Sequence, residues 1–239
     1  MVVEEPLAKS GDSSVPLGRH LKEVAEYARS IARAYGVHWR NLLGTKAAQR
    51  VADALVLAAL THDVGKIATG FQQVLRGRQR RWDFRHEVLS AAVLLGSELP
   101  DDEFRELVVA AVLTHHRDLQ DADLCQAAGW LPVPSEELVQ EAGRRFAQKA
   151  LEMQSGWGWL EQFWKQEPAL QSVSLPRGPG DAVLPAGFVE QLKGRIADAP
   201  VFSDRDALGF ALVRGWLMAA DHAVSAGVSA FAMDLTPPS

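Results

Sequence analysis

Val51-Ala52-Asp53-Ala54-Leu55-Val56-Leu57-Ala58-Ala59-Leu60-Thr61-His62-Asp63-Val64-Gly65-Lys66 is the stretch on which the fold turns. Val51, Ala54, Leu55, Ala58, Ala59 and His62 recur at steps of three and four, the spacing of one helical face. Gly65 fits the C-terminal end of that helix. The stretch is therefore an apolar helix that delivers an imidazole and a carboxylate at its end.

The same period extends outward in both directions. Leu17, Leu21, Val24, Ala28 and Ile31 form one face of a preceding helix, with Gly36 as its stop. A third helix is predicted from Asp83 to Leu95, closed by Gly96. A fourth is predicted from Asp101 to His115, with Phe104, Leu107, Val108, Ala111 and Val112 inward. Pro100 marks its boundary, and Asp101 and Asp102 suit a helix N-terminus. Asp118–Pro134 reads as a loop with a short helix around Leu124. Ser135–Met153 reads as a helix capped by Ser135, with Leu138, Ala142 and Phe146 inward. Ser172–Pro185, rich in Gly, Pro and Ser, reads as an irregular surface loop. Phe188–Ile196 is predicted helical. A last long helix starts near Ser203, with Asp204 and Asp206 in its first turn, and turns Leu208, Leu212, Trp216 and Ala219 inward. No strand alternation of useful length, internal repeat or low-complexity segment interrupts this pattern. The expected class is all-α, a single helical bundle domain over residues 1–239, with residues 1–15 and 235–239 flexible.

Composition limits the function classes. The 239 residues are 47% hydrophobic and 23% charged, ordinary globular usage. Cys125 is the only cysteine, which excludes a disulfide framework and any multi-cysteine zinc finger or ribbon. The apolar runs Ala54–Leu60 and Leu107–Leu113 fall well short of the roughly 20 residues of a membrane span. The N-terminal MVVEEPLAKSGDSS has acid where a signal peptide has base. No membrane association and a cytoplasmic location are expected. The net charge of −5 argues against a protein that coats nucleic acid. It leaves open an enzyme that acts on nucleic acid through bound cations.

The chemistry sits in the histidines. Of His20, His38, His62, His86, His115, His116 and His222, most lie at predicted helix ends. His62-Asp63 and His115-His116 each close an apolar helix, His20 opens the first helix, and His86 lies near the start of the third. Asp221 lies deep in the last helix, and aspartate is almost never fully buried unless paired or bound to metal. Any one of these residues alone would be an ordinary core or surface side chain. Together they put imidazole or carboxylate at or near the ends of four helices and Asp221 within a fifth, and facing helices of a bundle are a known way to build a metal site. Imidazole with carboxylate, and no thiolate, suits Mn, Fe, Co, Ni or Zn; Mg fits less well. His38 lies outside these groupings, and His222 points about 100° away from Asp221 around the helix.

These motifs resemble the HD superfamily of metal-dependent phosphohydrolases and, within it, the stand-alone HD nuclease of type I CRISPR systems. The residues that carry the resemblance are His20 with Val24-Ala25, His62-Asp63-x-Gly65-Lys66, Arg85-His86-Glu87-x-x-Ser90, His115-His116, and Ala220-Asp221-His222-x-x-Ser225. They span Leu17 to Ser225. A minimal one-metal site of this superfamily would use His20, His62, Asp63 and Asp221. The further imidazoles His86, His115 and His116 suggest a second ion. The resemblance implies that Asp63 bridges, that one ion takes His20, His62 and Asp221, and that the other takes His86, His115 and His116. Two such cations clamp the attacking and leaving oxygens of an in-line displacement at phosphorus. Asp63 and Lys66 are the catalytic candidates. Lys66 either meets a phosphate oxygen or faces solvent near the helix end. Ser225, one turn after Asp221, either supports it by a hydrogen bond or back-bonds to its own helix.

Arg76, Arg78, Arg80, Arg81 and Arg85 form a basic run interleaved with Phe71, Trp82 and Phe84. Arginines among aromatic planes suit single-stranded nucleic acid; a solvated loop is the plain alternative. The tryptophans at 130, 157, 159, 164 and 216 read as core or partner surface. The resemblance implies a single-stranded DNA nuclease of CRISPR interference. The chain carries no phosphate-binding loop of the ATPase kind, so a separate helicase and a guide-RNA surveillance complex are the expected partners. The alternative is an HD phosphohydrolase for small or cyclic nucleotides. A third reading is a non-enzymatic helical module.

Overall fold

A computed structural model describes residues 4–10, 14–116, 136–182 and 204–228. Helix α1 (Leu17–Leu43) buries Leu17, Leu21, Val24, Ala25, Ala28 and Ile31 completely along one seam. It does not stop at Gly36. A mid-helix glycine costs only about 1 kcal/mol, and the turns beyond it bury Trp39 and Leu43. The stop is Gly44, whose φ of 84° favours glycine. Helix α2 (Thr45–Thr61) then packs back along α1, with alanines 54, 58 and 59 letting the helices approach closely.

After α2 the chain does not leave through a left-handed glycine. His62 keeps helical dihedrals, and Val64–Ile67 forms a 3₁₀ turn. Gly65 serves close packing instead: a Cβ there would lie 2.1 Å from the His86 carbonyl oxygen and 2.9 Å from Leu89 Cβ. Helix α3 (Thr69–Leu75) follows. Helix α4 (His86–Leu95) starts three residues later than expected from Asp83, and is buried almost all round. Helix α5 (Asp102–Thr114) is capped by Asp101, whose carboxylate accepts a hydrogen bond from Phe104 N at 2.8 Å. Phe104, Val108, Ala111 and Val112 face inward as expected, and Leu107 is half-buried.

Helix α6 (Glu136–Leu151) matches the predicted segment, with Phe146 half-buried against the core. Helix α7 (Gln154–Gln166) has no counterpart in the sequence reading. It buries Trp157 and Trp164, while Trp159 stacks on Phe163. The stretch 172–182 is irregular but not purely surface: Val173 and Ala182 are buried, and Val173 O accepts a hydrogen bond from Trp164 Nε1 at 2.7 Å. Helix α8 (Asp204–Ser225) packs on α1, α2 and α5. Its buried seam is Gly209, Val213, Leu217, Ala220 and Asp221, one residue round from the predicted face. Leu208, Leu212 and Trp216 are half-buried flanks, and Ala219 is exposed.

The segment Leu7–Lys9 (β1) is not free. It pairs with Val15–Pro16 (β2), Ala8 is buried, and the Gln72 side chain exchanges two 2.9 Å hydrogen bonds with the Leu7 backbone. The expected loop and short helix over Asp118–Pro134, the Ser135 cap, the Phe188–Ile196 helix and the 235–239 tail lie outside the described residues, as do the side chains of Leu138 and Ala142. Among the described residues no helix is long and apolar enough to cross a membrane. The helical class holds.

Candidate metal centre

Helix ends from five elements meet at one place. The first turn of α1 brings His20 and the end of α2 brings His62 and Asp63. The first residue of α4 brings His86, the end of α5 brings His115 and His116, and the last turns of α8 bring Asp221. The apolar seams of these helices fix the geometry. Leu17 and Leu21 flank His20, Leu60 precedes His62, and Leu217 lies one turn before Asp221; the first three are fully buried and so is Leu217.

The side chains divide into two groups of potential ligands. His20, His62 and Asp221 form one; Asp63, His86, His115 and His116 form the other. Within each, one donor atom per residue lies within 4.8 Å of all the rest. Asp63 stands between them. Its Oδ2 is 3.5 Å from His20 Nε2 and 3.4 Å from His62 Nε2. Its Oδ1 is 2.9 Å from His86 Nε2 and 3.8 Å from His115 Nε2. Asp221 Oδ1 lies 3.1 Å from His20 Nε2 and 3.8 Å from His62 Nε2.

Ring orientation is set from behind. His62 Nδ1 is 2.9 Å from Ala59 O, and His115 Nδ1 is 2.6 Å from Val112 O. A carbonyl can only accept, so each Nδ1 carries the proton and each Nε2 presents a lone pair inward. Those Nε2 atoms, His86 Nε2 and both Asp63 oxygens are buried without an aligned hydrogen bond. Buried polar atoms are seldom left so. Inward imidazole nitrogens and carboxylate oxygens that make no aligned hydrogen bond with one another suit a divalent cation, so the residues present fit a metal.

The electrostatics agree. Burial opposes charge on Asp63, but Lys66 at 2.6 Å from Oδ2 and the surrounding imidazoles hold its carboxyl well below the usual range. Burial likewise opposes charge on Asp221, and the His20 and His62 imidazoles beside it push its pKa below 3.8. Burial would strip the proton from His20, yet Asp221 and Asp63 outweigh it and raise its pKa above 6.5. At the outer edge, desolvation by the packed rings and then the charges of His115 and His86 bring His116 down to about 3.

The structure thus brings together His20, His62, Asp63, His86, His115, His116 and Asp221. Lys66 does not project to solvent; its ammonium sits on Asp63 and contacts Ala8 O. Ser225 Oγ donates to Asp221 Oδ1 at 3.3 Å. The basic run divides. Arg78, Arg80 and Arg81 are exposed, whereas Arg76 is tied to Glu4, Glu5 O and Gln72, and Arg85 to Glu87. Phe71 stands 5.1 Å from the His86 ring, and Trp82 meets Phe71 edge to face at 5.4 Å. His38 is exposed on the far part of α1, and His222 is exposed too.

Sequence reasoning gave no role to Glu87, which is buried beside His86 and held ionised, its pKa brought down to about 2 against burial by the charges of His86, His115 and Arg85. An acid directly after a candidate ligand at a helix start was the available signal. Ser90 also entered without a role; its hydroxyl accepts from Gly65 N at 2.9 Å and so ties the turn after Asp63 to α4.

A family model described as HD domain matches residues 17–153, which include every grouped residue except Asp221. No curated protein and no solved structure matches the chain.

Proposed function

The chain belongs to the HD domain family, the metal-dependent phosphohydrolases, and from that premise we propose a two-metal nuclease that cleaves single-stranded DNA in CRISPR interference. The observation that carries the two-metal reading is Asp63, each of whose oxygens faces a different ligand group. In this reading His20, His62 and Asp221 would hold one cation, His86, His115 and His116 would hold the other, and Asp63 would serve both. When bound, the cations supply Lewis acidity and bring the pKa of water toward neutrality. Lys66 offsets the Asp63 charge and stands ready to turn toward a phosphate oxygen. The buried walls exclude bulk water, and His116 marks the exposed side from which substrate enters.

Single-stranded DNA as substrate is supported by Arg78, Arg80 and Arg81, exposed on the segment between two ligand motifs. A separate helicase and a guide-RNA complex are the proposed suppliers of that strand. Small or cyclic nucleotides are the second reading, favoured by the internal pairing of Arg76 and Arg85, which shrinks the basic surface. Purified protein loaded with Mn, Fe, Co, Ni or Zn is offered a circular single strand and a nucleotide panel. Metal-dependent cutting of the circle supports the nuclease; turnover of nucleotides alone supports the second reading.

A further inference from the structure

His62 and His115 are steered by backbone carbonyls because both follow the last turn of a helix, where such carbonyls lack helical partners. His86 opens α4 instead. A helix start offers N–H groups and no carbonyl one turn behind, so the backbone cannot supply the same acceptor. Glu87 supplies one. It is 2% exposed, and its Oε2 lies 3.3 Å from His86 Nδ1. That oxygen is buried with no aligned hydrogen bond, and the His86 contact is an ion-pair distance, while Oε1 is taken by Arg85. Burying a carboxylate is costly unless it is paired, and the His86 and Arg85 contacts are the pairings that its two oxygens have.

We propose that Glu87 is the positioning residue of the open ligand group: it holds His86 in the Nδ1–H tautomer so that Nε2 presents its lone pair beside Asp63 Oδ1. This rests on the metal reading for its purpose, but not for its first test. Arg85 holds the other carboxylate oxygen and is thereby a structural partner of the site rather than a free contact for nucleic acid. A carboxylate behind a ligating imidazole fixes the ring and raises its basicity, and loss of such a partner costs about 10–100-fold in metal affinity.

The experiment compares wild type, Glu87→Leu and Glu87→Gln. Nitrogen-15 NMR of selectively labelled, metal-free protein reads the His86 tautomer, and calorimetric titration with Mn(II) reads each affinity. In metal-free wild type Asp63 Oδ1, 2.9 Å from Nε2, competes for a ring proton, and Glu87 is expected to keep a proton on His86 Nδ1. Glu87→Leu is expected to shift it to Nε2 or to a mixture, and to weaken one Mn(II) site about 10–100-fold while sparing the other. Glu87→Gln keeps an acceptor oxygen, and is expected to retain the tautomer and most of the affinity. An unchanged His86 tautomer in Glu87→Leu overturns the proposal, as does loss of the tautomer in a well-folded Glu87→Gln equal to that in Glu87→Leu. Wild type that binds no Mn(II), yet shows the tautomer shift on substitution, overturns the metal reading and leaves the positioning role standing.

Discussion

The two ligand groups are built alike but enclosed differently. His20, His62 and Asp221 are buried on all sides, drawn from helices that pack on one another along their full seams. His86, His115 and His116 include an exposed member, and His86 hangs on a helix start steered by a side chain rather than the backbone. The closed group resembles an interior that happens to be polar; the open group resembles a surface made rigid. A cation in the first would exchange slowly, and substrate would reach the second. Asp63 stands between the two groups, with Oδ2 near His20 and His62 and Oδ1 near His86, so it should be the one residue whose loss erases the distinction.

Asp63→Ala is therefore the largest effect. Loss of a partner behind a ligand costs about 10–100-fold in metal affinity, and loss of a shared ligand should exceed that at both sites, with turnover reduced by more than about 100-fold. Retention of either Mn(II) site after dialysis would break the comparison. Next comes Gly65→Ala. The new Cβ meets backbone at 2.1 Å and cannot be accommodated by a side-chain swing. Overpacking of this kind costs typically about 1–3 kcal/mol, read as a lower melting temperature. Because α4 is the element displaced, the open site should weaken more than the closed one.

His20→Ala and His116→Ala form the third comparison. His20→Ala should abolish retention of the tightly held cation, while His116→Ala should leave it and weaken only the exchangeable one. Equal losses in both variants would merge the two groups into one site.

The smallest effect is on the stability of metal-free protein. Asp221 is depressed below 3.8, so its contribution is present above that pH and lost as pH falls through its folded value. His20 is raised above 6.5, so its contribution is fully present below 6.5 and lost as pH rises through its folded value. The melting temperature of chelator-treated protein should decline above pH 6.5, and saturating Mn(II) should remove that decline. A flat profile in the metal-free protein would contradict the ion pair.

The centre was legible because its residues are chemically conspicuous: imidazoles and acids at the ends of apolar helices have few ordinary uses. The helix that carries Asp221 was harder to phase. Large residues at 208, 212 and 216 suggested the inner face, but Gly209, Val213, Leu217 and Ala220 occupy it. That seam mixes small and large side chains, with Gly209 and Ala220 beside Val213 and Leu217, and α8 lies against α1, α2 and α5 together. Counting back from Asp221 in steps of four, to 217, 213 and 209, gives the observed seam. Gly36 misled because a glycine inside a long seam is tolerated. The sequence reading places no element over α7, which carries Gly156 and Gly158; at Gly156 a Cβ would lie 2.7 Å from Ile67 Cβ, so the glycine permits the close approach of that residue. The pairing of Arg76 with Glu4 joins residues far apart in the chain, and no local pattern announces it.

The claim on which these comparisons depend is that Asp63 divides its two oxygens between two cations. A crystal grown with Mn(II) and measured at an anomalous wavelength tests it directly. The account predicts two peaks about 3.5–4 Å apart, one beside Asp63 Oδ2 with His20, His62 and Asp221, the other beside Oδ1 with His86, His115 and His116. A single peak at full occupancy, or two peaks with Asp63 bound to neither or to only one, would contradict it.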